Sequence, residues 1–293
     1  MSIKLSVCIT SYNRPMFLDK TLQCLAAQTR QPDEVIVSDD YSPNDPTAVV
    51  DKWLSHFPVL RYNRNSRNLH MPGNLNVAVS LATGEYIANL HDVDEWDSTF
   101  LEKWEHALDT YPSAGFVFCG FRAIGDWPCK LFLPDVAPLT PGRVFFEKYM
   151  LHKYGSIVWG TAMARRAAYA KLLPFDSVYD VVSDVDMWMR MCLHYDVAYI
   201  HEPLMLLDYS DKTHHRLSRQ FSWRRVETVW KIQRANIHRF YADDLMRLKS
   251  ELIRHIHALD KFYLRLLIGR CYHAEWVLLR EGLASWRKMR LVF

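Results

Sequence analysis

Long apolar runs are missing from this 293-residue chain. No stretch of eighteen apolar residues occurs, which argues against a helix that crosses a membrane. Glycine is scarce, at ten residues, and none of it forms GxGxxG after a strand or GxxxxGK followed by Ser or Thr. A dinucleotide dehydrogenase and a P-loop enzyme both lose support, because each cradles its phosphates on such a turn. The six cysteines form no CxxC pair. Their scatter disfavours a zinc site or a disulfide framework and predicts reduced, mostly buried thiols in a cytoplasm. Internal repeats and low-complexity segments are absent as well. The opening MSIKLSVCITSYNRP runs from a short apolar stretch directly into polar residues, so it reads as a first strand rather than a signal peptide.

What is present is a globular composition, 49% apolar and 24% charged, long enough for one large domain or a domain with an appendage. Its charge is unevenly divided. Residues 1–211 carry 18 Lys and Arg against 26 Asp and Glu, whereas residues 212–293 carry 18 against 7. An acidic body precedes a basic tail.

Period-2 or wholly apolar short runs alternate with helical spacing through the first half. Strands are expected at Leu5–Thr10, Glu34–Ser38, Val59–Asn63, Tyr86–Leu90 and Phe116–Phe121, with another at Ile157–Met163. Helices are expected near Pro15–Gln28, Thr47–Phe57, Gly73–Ala82 and Ser98–Tyr111, and the pattern is helical from about Ser218 onward. This order predicts an α/β fold with a mostly parallel sheet and helices on both faces. Gly125–Pro141, rich in Pro, Asp and aromatics, reads as a long surface excursion.

Open α/β sheets bind ligands at the carboxyl ends of their parallel strands. The polar residues cluster there: Thr10 to Arg14 after the first strand, Asp39 and Asp40 after the second, and His91, Asp92 and Asp94 after the fourth. Asp92, Asp94, Glu95 and Asp97 together crowd one strand end, which is unfavourable unless a cation, a helix N-terminus or solvent absorbs the charge. Two carboxylates so placed suit a hard divalent cation that bridges a diphosphate. The plainer reading is enrichment of acids at the start of the next helix, with Asp97 and Ser98 as its cap.

Four segments, VCITSYNRP, QPDEVIVSDDYSPND, GNLNVAVSLATGEYIANLHDVDEW and SDVDMWMRM, together resemble the family-2 glycosyltransferases of the GT-A, Rossmann-like fold. The resemblance spans about Leu5 to Tyr209 and implies a catalytic domain, 1–215, followed by a basic helical extension, 216–293. It also implies inverting, metal-dependent transfer of a sugar from a nucleoside-diphosphate donor, a UDP-sugar first, to a saccharide or lipid-linked saccharide. Thr10, Tyr12 and Arg14 would then lie on the nucleotide, Tyr12 beside the base; Asp40 would accept from base or ribose, supported by Asp39. Asp92 and Asp94 fall in the element that holds Mn²⁺ or Mg²⁺, Asp94 as direct ligand and Asp92 toward ribose or metal-bound water. The family's D-x-D-D is here His91-Asp92-Val93-Asp94, displaced by one position. Asp184 matches the catalytic base, with Ser183 in place of the usual Glu and expected to cap the helix. The helix dipole is expected to keep Asp184 ionised. His214 or His215 matches a loop that reaches the metal or diphosphate, and Trp159 and Gly160 match the acceptor side.

Two other readings remain: a sugar-1-phosphate nucleotidylyltransferase, which would open with a Gly-rich basic loop instead of SYNRP, and a binding or scaffold subunit with a decayed site. The tail has an apolar stripe, Leu245, Leu248, Leu252, Ile256, Leu259, Tyr263 and Leu266, at helical spacing. It is expected to pack on the catalytic domain or in a homodimer, or else to present a cationic face to anionic lipid at the inner side of the membrane. Nucleic acid is not expected, since no binding module accompanies the charge.

Overall fold

Alternating apolar residues determine how the sheet is covered. In the first strand, β1 (Leu5–Ser11), Leu5, Val7 and Ile9 pack on one face and Cys8 on the other. The same split occurs in β2 (Glu34–Asp39), with Val35 and Val37 opposite Ile36. A strand that is apolar on both faces must be covered twice. The computed structural model, which describes residues 4–92, 94–125, 130–158, 160–209, 222–272 and 276–292, does so with helices on each side.

After β1 and β2, with α1 (Pro15–Ala26) between them, the chain forms α2 (Thr47–Trp53), β3 (Leu60–Arg64), α3 (His70–Leu81) and β4 (Tyr86–His91). It continues through β5 (Asp94–Trp96), α4 (Phe100–Thr110), β6 (Ala114–Gly125), β7 (Leu131–Phe132), β8 (Leu139–Thr140) and α5 (Gly142–Phe145). Next come β9 (Ala162–Arg165), α6 (Arg166–Leu172), α7 (Ser183–Cys192) and β10 (Asp196–Tyr209). The C-terminal helices are α8 (Trp223–Phe240), α9 (Leu245–Tyr272) and α10 (Trp276–Val292).

Helices α1, α2 and α4 cover one face, and α3, α5, α6 and α7 cover the other. Helix α4 shows why: Phe100, Leu101, Trp104, Ala107 and Leu108 fall on one stripe and are all buried. Each such large side chain contributes about 1.5–3 kcal/mol on burial.

The strand order is β3-β2-β1-β4-β9-β6-β10-β5, with β7 on β6 and β8 on β10. Strands β3, β2, β1 and β4 are parallel to one another. Strand β9 then runs antiparallel to both β4 and β6, and β5 antiparallel to β10. The sheet is therefore parallel where the nucleotide half was expected and mixed beyond it. The strand expected at Ile157–Met163 lies instead at Ala162–Arg165. Gly160, just ahead of it, lies against His91 and Asp184. The long β10 was not marked by the pattern, because His201-Glu202-Pro203 interrupts its apolar run where the register with β6 shifts.

The C-terminal stripe packs within the chain. Leu248 and Leu252 lie against the core beneath α7, while Leu259 and Tyr263 join Trp223, Trp230 and Met289 in a separate cluster. Leu245 departs from the expectation: it starts its helix at the surface and is 62% exposed. Helix α8 belongs to both clusters, through Ile232 and Ile237 on one side and Trp223, Val226 and Trp230 on the other. The proposed boundary at 215 lies within residues 210–221, outside the described residues. The described thiols Cys8, Cys24, Cys119 and Cys192 are all free, and all but Cys24 are buried.

Candidate functional site

Register brings three strand ends level. Thr10 pairs with Ser38 of β2 and with His91 of β4, so the residues that follow each strand emerge side by side. The crowded acids after β4 separate as the chain turns. Asp92 is buried and faces the end of β1, where Ser11 Oγ and, just before α1, Arg14 Nη1 each lie 3.1 Å from its carboxylate. Burial pushes its pKa up, and Arg14 offsets part of that rise. Asp94 turns the other way: Thr161 Oγ1 donates at 3.5 Å, and His91 Nδ1 lies 3.7 Å from Oδ2. Glu95 is exposed, and Asp97 accepts from the Thr99 amide at 2.9 Å and its hydroxyl at 2.6 Å in the turn that starts α4. The N-cap of α4 is Thr99, without a side-chain cap bond, so the cap expected at Asp97 and Ser98 lies instead in the turn before the helix.

His91 is neutral at physiological pH, because burial and the neighbouring Arg14 lower its pKa to about 4. Its ring fills the space beside Gly160. A Cβ on Gly160 would come within 2.7 Å of His91 Cε1 and 3.2 Å of Asp184 Oδ2. Any side chain at this position would have to displace His91 or Asp184. The same geometry sets Asp184 and His91 together around one small space beside Gly160.

Asp184 lies in the first turn of α7, and its Oδ1 is enclosed without a hydrogen-bond partner. Burial raises its pKa to about 6, more than the backbone amides around it lower it. The dipole that was expected to hold this carboxyl low is outweighed by desolvation. Ser183 does not cap the helix: it sits within the first turn, with its Oγ buried and unpartnered. Asp186, two residues on, points away into an ion network with Arg190 Nε at 2.7 Å, Arg239 Nη1 at 2.9 Å and Asn236 Nδ2 at 2.9 Å. Asp180 is exposed, with a φ of 52° just ahead of the helix.

Around β2, Asp39 is fully buried and accepts from the amide and hydroxyl of Ser42, with Tyr62 OH at 3.4 Å. Asp40 Oδ1 takes Asn65 Nδ2 at 3.1 Å and the Leu69 amide at 2.7 Å. Its Oδ2 takes the His70 amide at 2.9 Å. Asp40 therefore pins the chain entering α3. Thr10 is half-buried at the end of β1, and the ring of Tyr12 beyond it is 45% exposed. Ser11, Ser42, Thr161 and His91 were not assigned roles from sequence. Ser11 and Thr161 meet their carboxylates across 81 and 67 residues, a separation no local motif reveals. His214, His215 and Trp159 lie outside the described residues. Among the described residues no group of three His, Cys, Asp or Glu is arranged to hold a metal.

Comparison with known proteins bears on this site. The family model described as glycosyl transferase family 2 matches residues 6–173. The amylovoran biosynthesis glycosyltransferase AmsB of Erwinia amylovora is 27% identical over 196 residues, 64% of this chain and 64% of AmsB. The chain thus spans less than two thirds of that relative. Among solved structures, S. aureus TarS 1-349 in complex with UDP-GlcNAc superposes with a TM-score of 0.66 at 18% identity, covering 98% of this chain and 92% of that one. The mannosyltransferase PcManGT from Pyrobaculum calidifontis, in complex with GDP-Man and Mn²⁺, gives 0.59 at 16% identity, over 99% and 88%. At these identities the structural likeness speaks for the fold alone.

Proposed function

The chain belongs to glycosyl transferase family 2, and from that premise we propose that it transfers a sugar, with inversion, from a UDP-sugar to a hydroxyl of a saccharide or lipid-linked saccharide. One observation carries the reading. Asp184, with a pKa near 6, borders the same space beside Gly160 as His91, next to the strand ends where a nucleotide would lie. A base with a pKa just below the working pH is ionised yet able to accept a proton, the condition for general-base catalysis. Asp184 takes the proton of the acceptor hydroxyl as that oxygen attacks the anomeric carbon. The new C–O bond forms as the bond to the diphosphate breaks, and no covalent enzyme intermediate is required.

On the donor side, Tyr12 offers its exposed ring to the base and Thr10 lines the pocket beside it. Asp40 Oδ2 accepts a single hydrogen bond, from His70, and keeps a lone pair for ribose or base. Asp39 acts from behind, through Ser42. Arg14 neutralises Asp92 and so sets how much negative charge the pocket presents to a diphosphate.

A divalent cation, Mn²⁺ or Mg²⁺, fits the sparse mode in which one or two carboxylates and the donor's phosphates share the coordination sphere. Asp94 would be the protein ligand and Asp92 the second carboxylate. When bound, the cation offsets charge on the departing diphosphate. Thr161 donates to Asp94 at 3.5 Å, and the His91 ring packs beside the same oxygen at 3.7 Å.

The test is release of UDP or GDP from UDP-GlcNAc, UDP-glucose and GDP-mannose with Mn²⁺, alongside thermal shift with UDP, GDP and dTDP. UDP should stabilise most, by about 2.7 kcal/mol at a hundredfold excess over Kd. A larger shift with GDP or dTDP overturns the uridine assignment, and absence of turnover with every donor favours a binding subunit. Gly160→Ala is a second check. Its Cβ must displace His91 or Asp184 by a few tenths of an ångström or more, and kcat should fall roughly ten- to a hundredfold with little change in donor KM. An unchanged kcat in a folded Gly160→Ala enzyme would show that the two side chains need no such alignment.

A further inference from the structure

Helix α9 carries a second apolar stripe, opposite the one it buries. Met246, Ile253, Leu264 and Ile268 are seven, eleven and four residues apart, intervals that return to nearly the same side of an α-helix. All four are exposed, between 50% and 85% of their surface. The line they form, interrupted by exposed Ser250 and His257, runs about 33 Å along the helix at 1.5 Å per residue. Cations flank it: Lys249 on one side, and Arg254, Lys261 and Arg265 on the other, all exposed. The helix has six Lys and Arg and only two acids. Neither acid disturbs the pattern. Glu251 is buried against His152, and Asp260 is engaged by Trp286 Nε1 and Arg290.

Helix α10, packed beside it, repeats the arrangement. Val277, Ala284 and Leu291 recur every seven residues, all exposed, with exposed Arg280 and Arg287 alongside. Glu281 is its one acid among four Lys and Arg.

We propose that this face of α9, extended by α10, docks on an anionic phospholipid bilayer. An apolar line flanked by cations is the pattern of a helix lying in the plane of a membrane interface, its stripe in the acyl boundary and its cations at the headgroups. The flanking charge selects among occupants. A second copy meeting this face across a two-fold axis would set these cations against their own symmetry mates, which costs energy. A nucleic acid would neutralise the cations but leave the apolar line between them facing phosphates and water. No helix among the described residues is long and apolar enough to cross a membrane, so the contact is one of lying on the surface.

The experiment is co-sedimentation of the full chain with vesicles of phosphatidylcholine alone or with phosphatidylglycerol added, and light scattering without lipid to fix the oligomeric state. The chain should sediment with the anionic vesicles at least tenfold more strongly than with neutral ones, and less as salt rises. Replacing Lys261 and Arg265 by Gln should weaken this binding at least tenfold, at roughly fivefold per cation near the surface. Leu264→Ser with Ile268→Ser should also weaken it while leaving the far-ultraviolet circular dichroism and melting temperature as in the wild type, since both positions are exposed. No binding to anionic vesicles by the wild type, or equal binding by both double variants, overturns the proposal. Variants that keep their vesicle binding but change from dimer to monomer assign the face to a second copy instead.

Discussion

Asp184→Asn is expected to lower kcat by roughly two to four orders of magnitude, the range for loss of a positioned base. Donor KM should stay nearly unchanged, because the lost interaction is made only as the proton transfers. The pH dependence gives an independent readout. With a pKa raised to about 6, Asp184 protonates as pH falls, and kcat/KM should drop tenfold per pH unit below about 6 in the wild type. Stability runs the other way. A carboxyl whose pKa is higher folded than unfolded binds its proton more tightly in the native state, so its ionisation costs stability as pH rises from about 4 to 6. Asp184→Asn removes that cost and should melt no lower than the wild type at pH 7. A folded Asp184→Asn enzyme with near-normal turnover would move the base elsewhere, with Asp180 the first candidate since Asp186 is already spent on Arg190 and Arg239.

Asp94→Ala is expected to remove metal-supported turnover almost entirely, by roughly three orders of magnitude or more, the several kcal/mol attributed to a bound Lewis acid. Asp92→Ala should also be severe, for a different reason: it leaves the Arg14 guanidinium without its carboxylate beside the diphosphate. The two are separated by titrating Mn²⁺. The Asp94 variant should show no saturable metal activation, whereas the Asp92 variant should retain it at a weaker affinity. Full wild-type turnover in excess chelator would sink the metal assignment for both.

The parallel half of the fold was legible because its strands are apolar on both faces and end in polar runs at matching heights; Thr10, Ser38 and His91 align in register as the sequence order implied. The position of Asp184 was legible from a helix start, but its ionisation was not. Sequence shows the dipole of the first turn and cannot show the enclosure of Oδ1, which comes from the packing around it and decides the sign of the shift. Asp40 looked like an open ligand group, yet the amides of Leu69 and His70 return to it across 29 and 30 residues. Helix α9 was legible in its buried stripe only. Two apolar lines at helical spacing overlap in one sequence, and the line from Leu248 to Leu266 is the one that packs. Ile253, Leu264 and Ile268 were left as incidental.

The tie between Asp186 and α8 has a consequence for how the molecule comes into being. Asn236 and Arg239 supply two of the three donors to a carboxylate two residues from Asp184. Fifty-three residues separate Asp186 from Arg239. At translation speeds of about 5–20 residues per second, the nascent chain exposes Asp184 roughly 3–10 s before its last supporting donor has been synthesised. During that interval a carboxylate meant to be buried has one neighbouring cation instead of two, and the helix that carries Asp184 lacks its partner. A growing chain therefore completes its parallel strands before the helix of Asp184 has its full support, and that support arrives with the C-terminal helices.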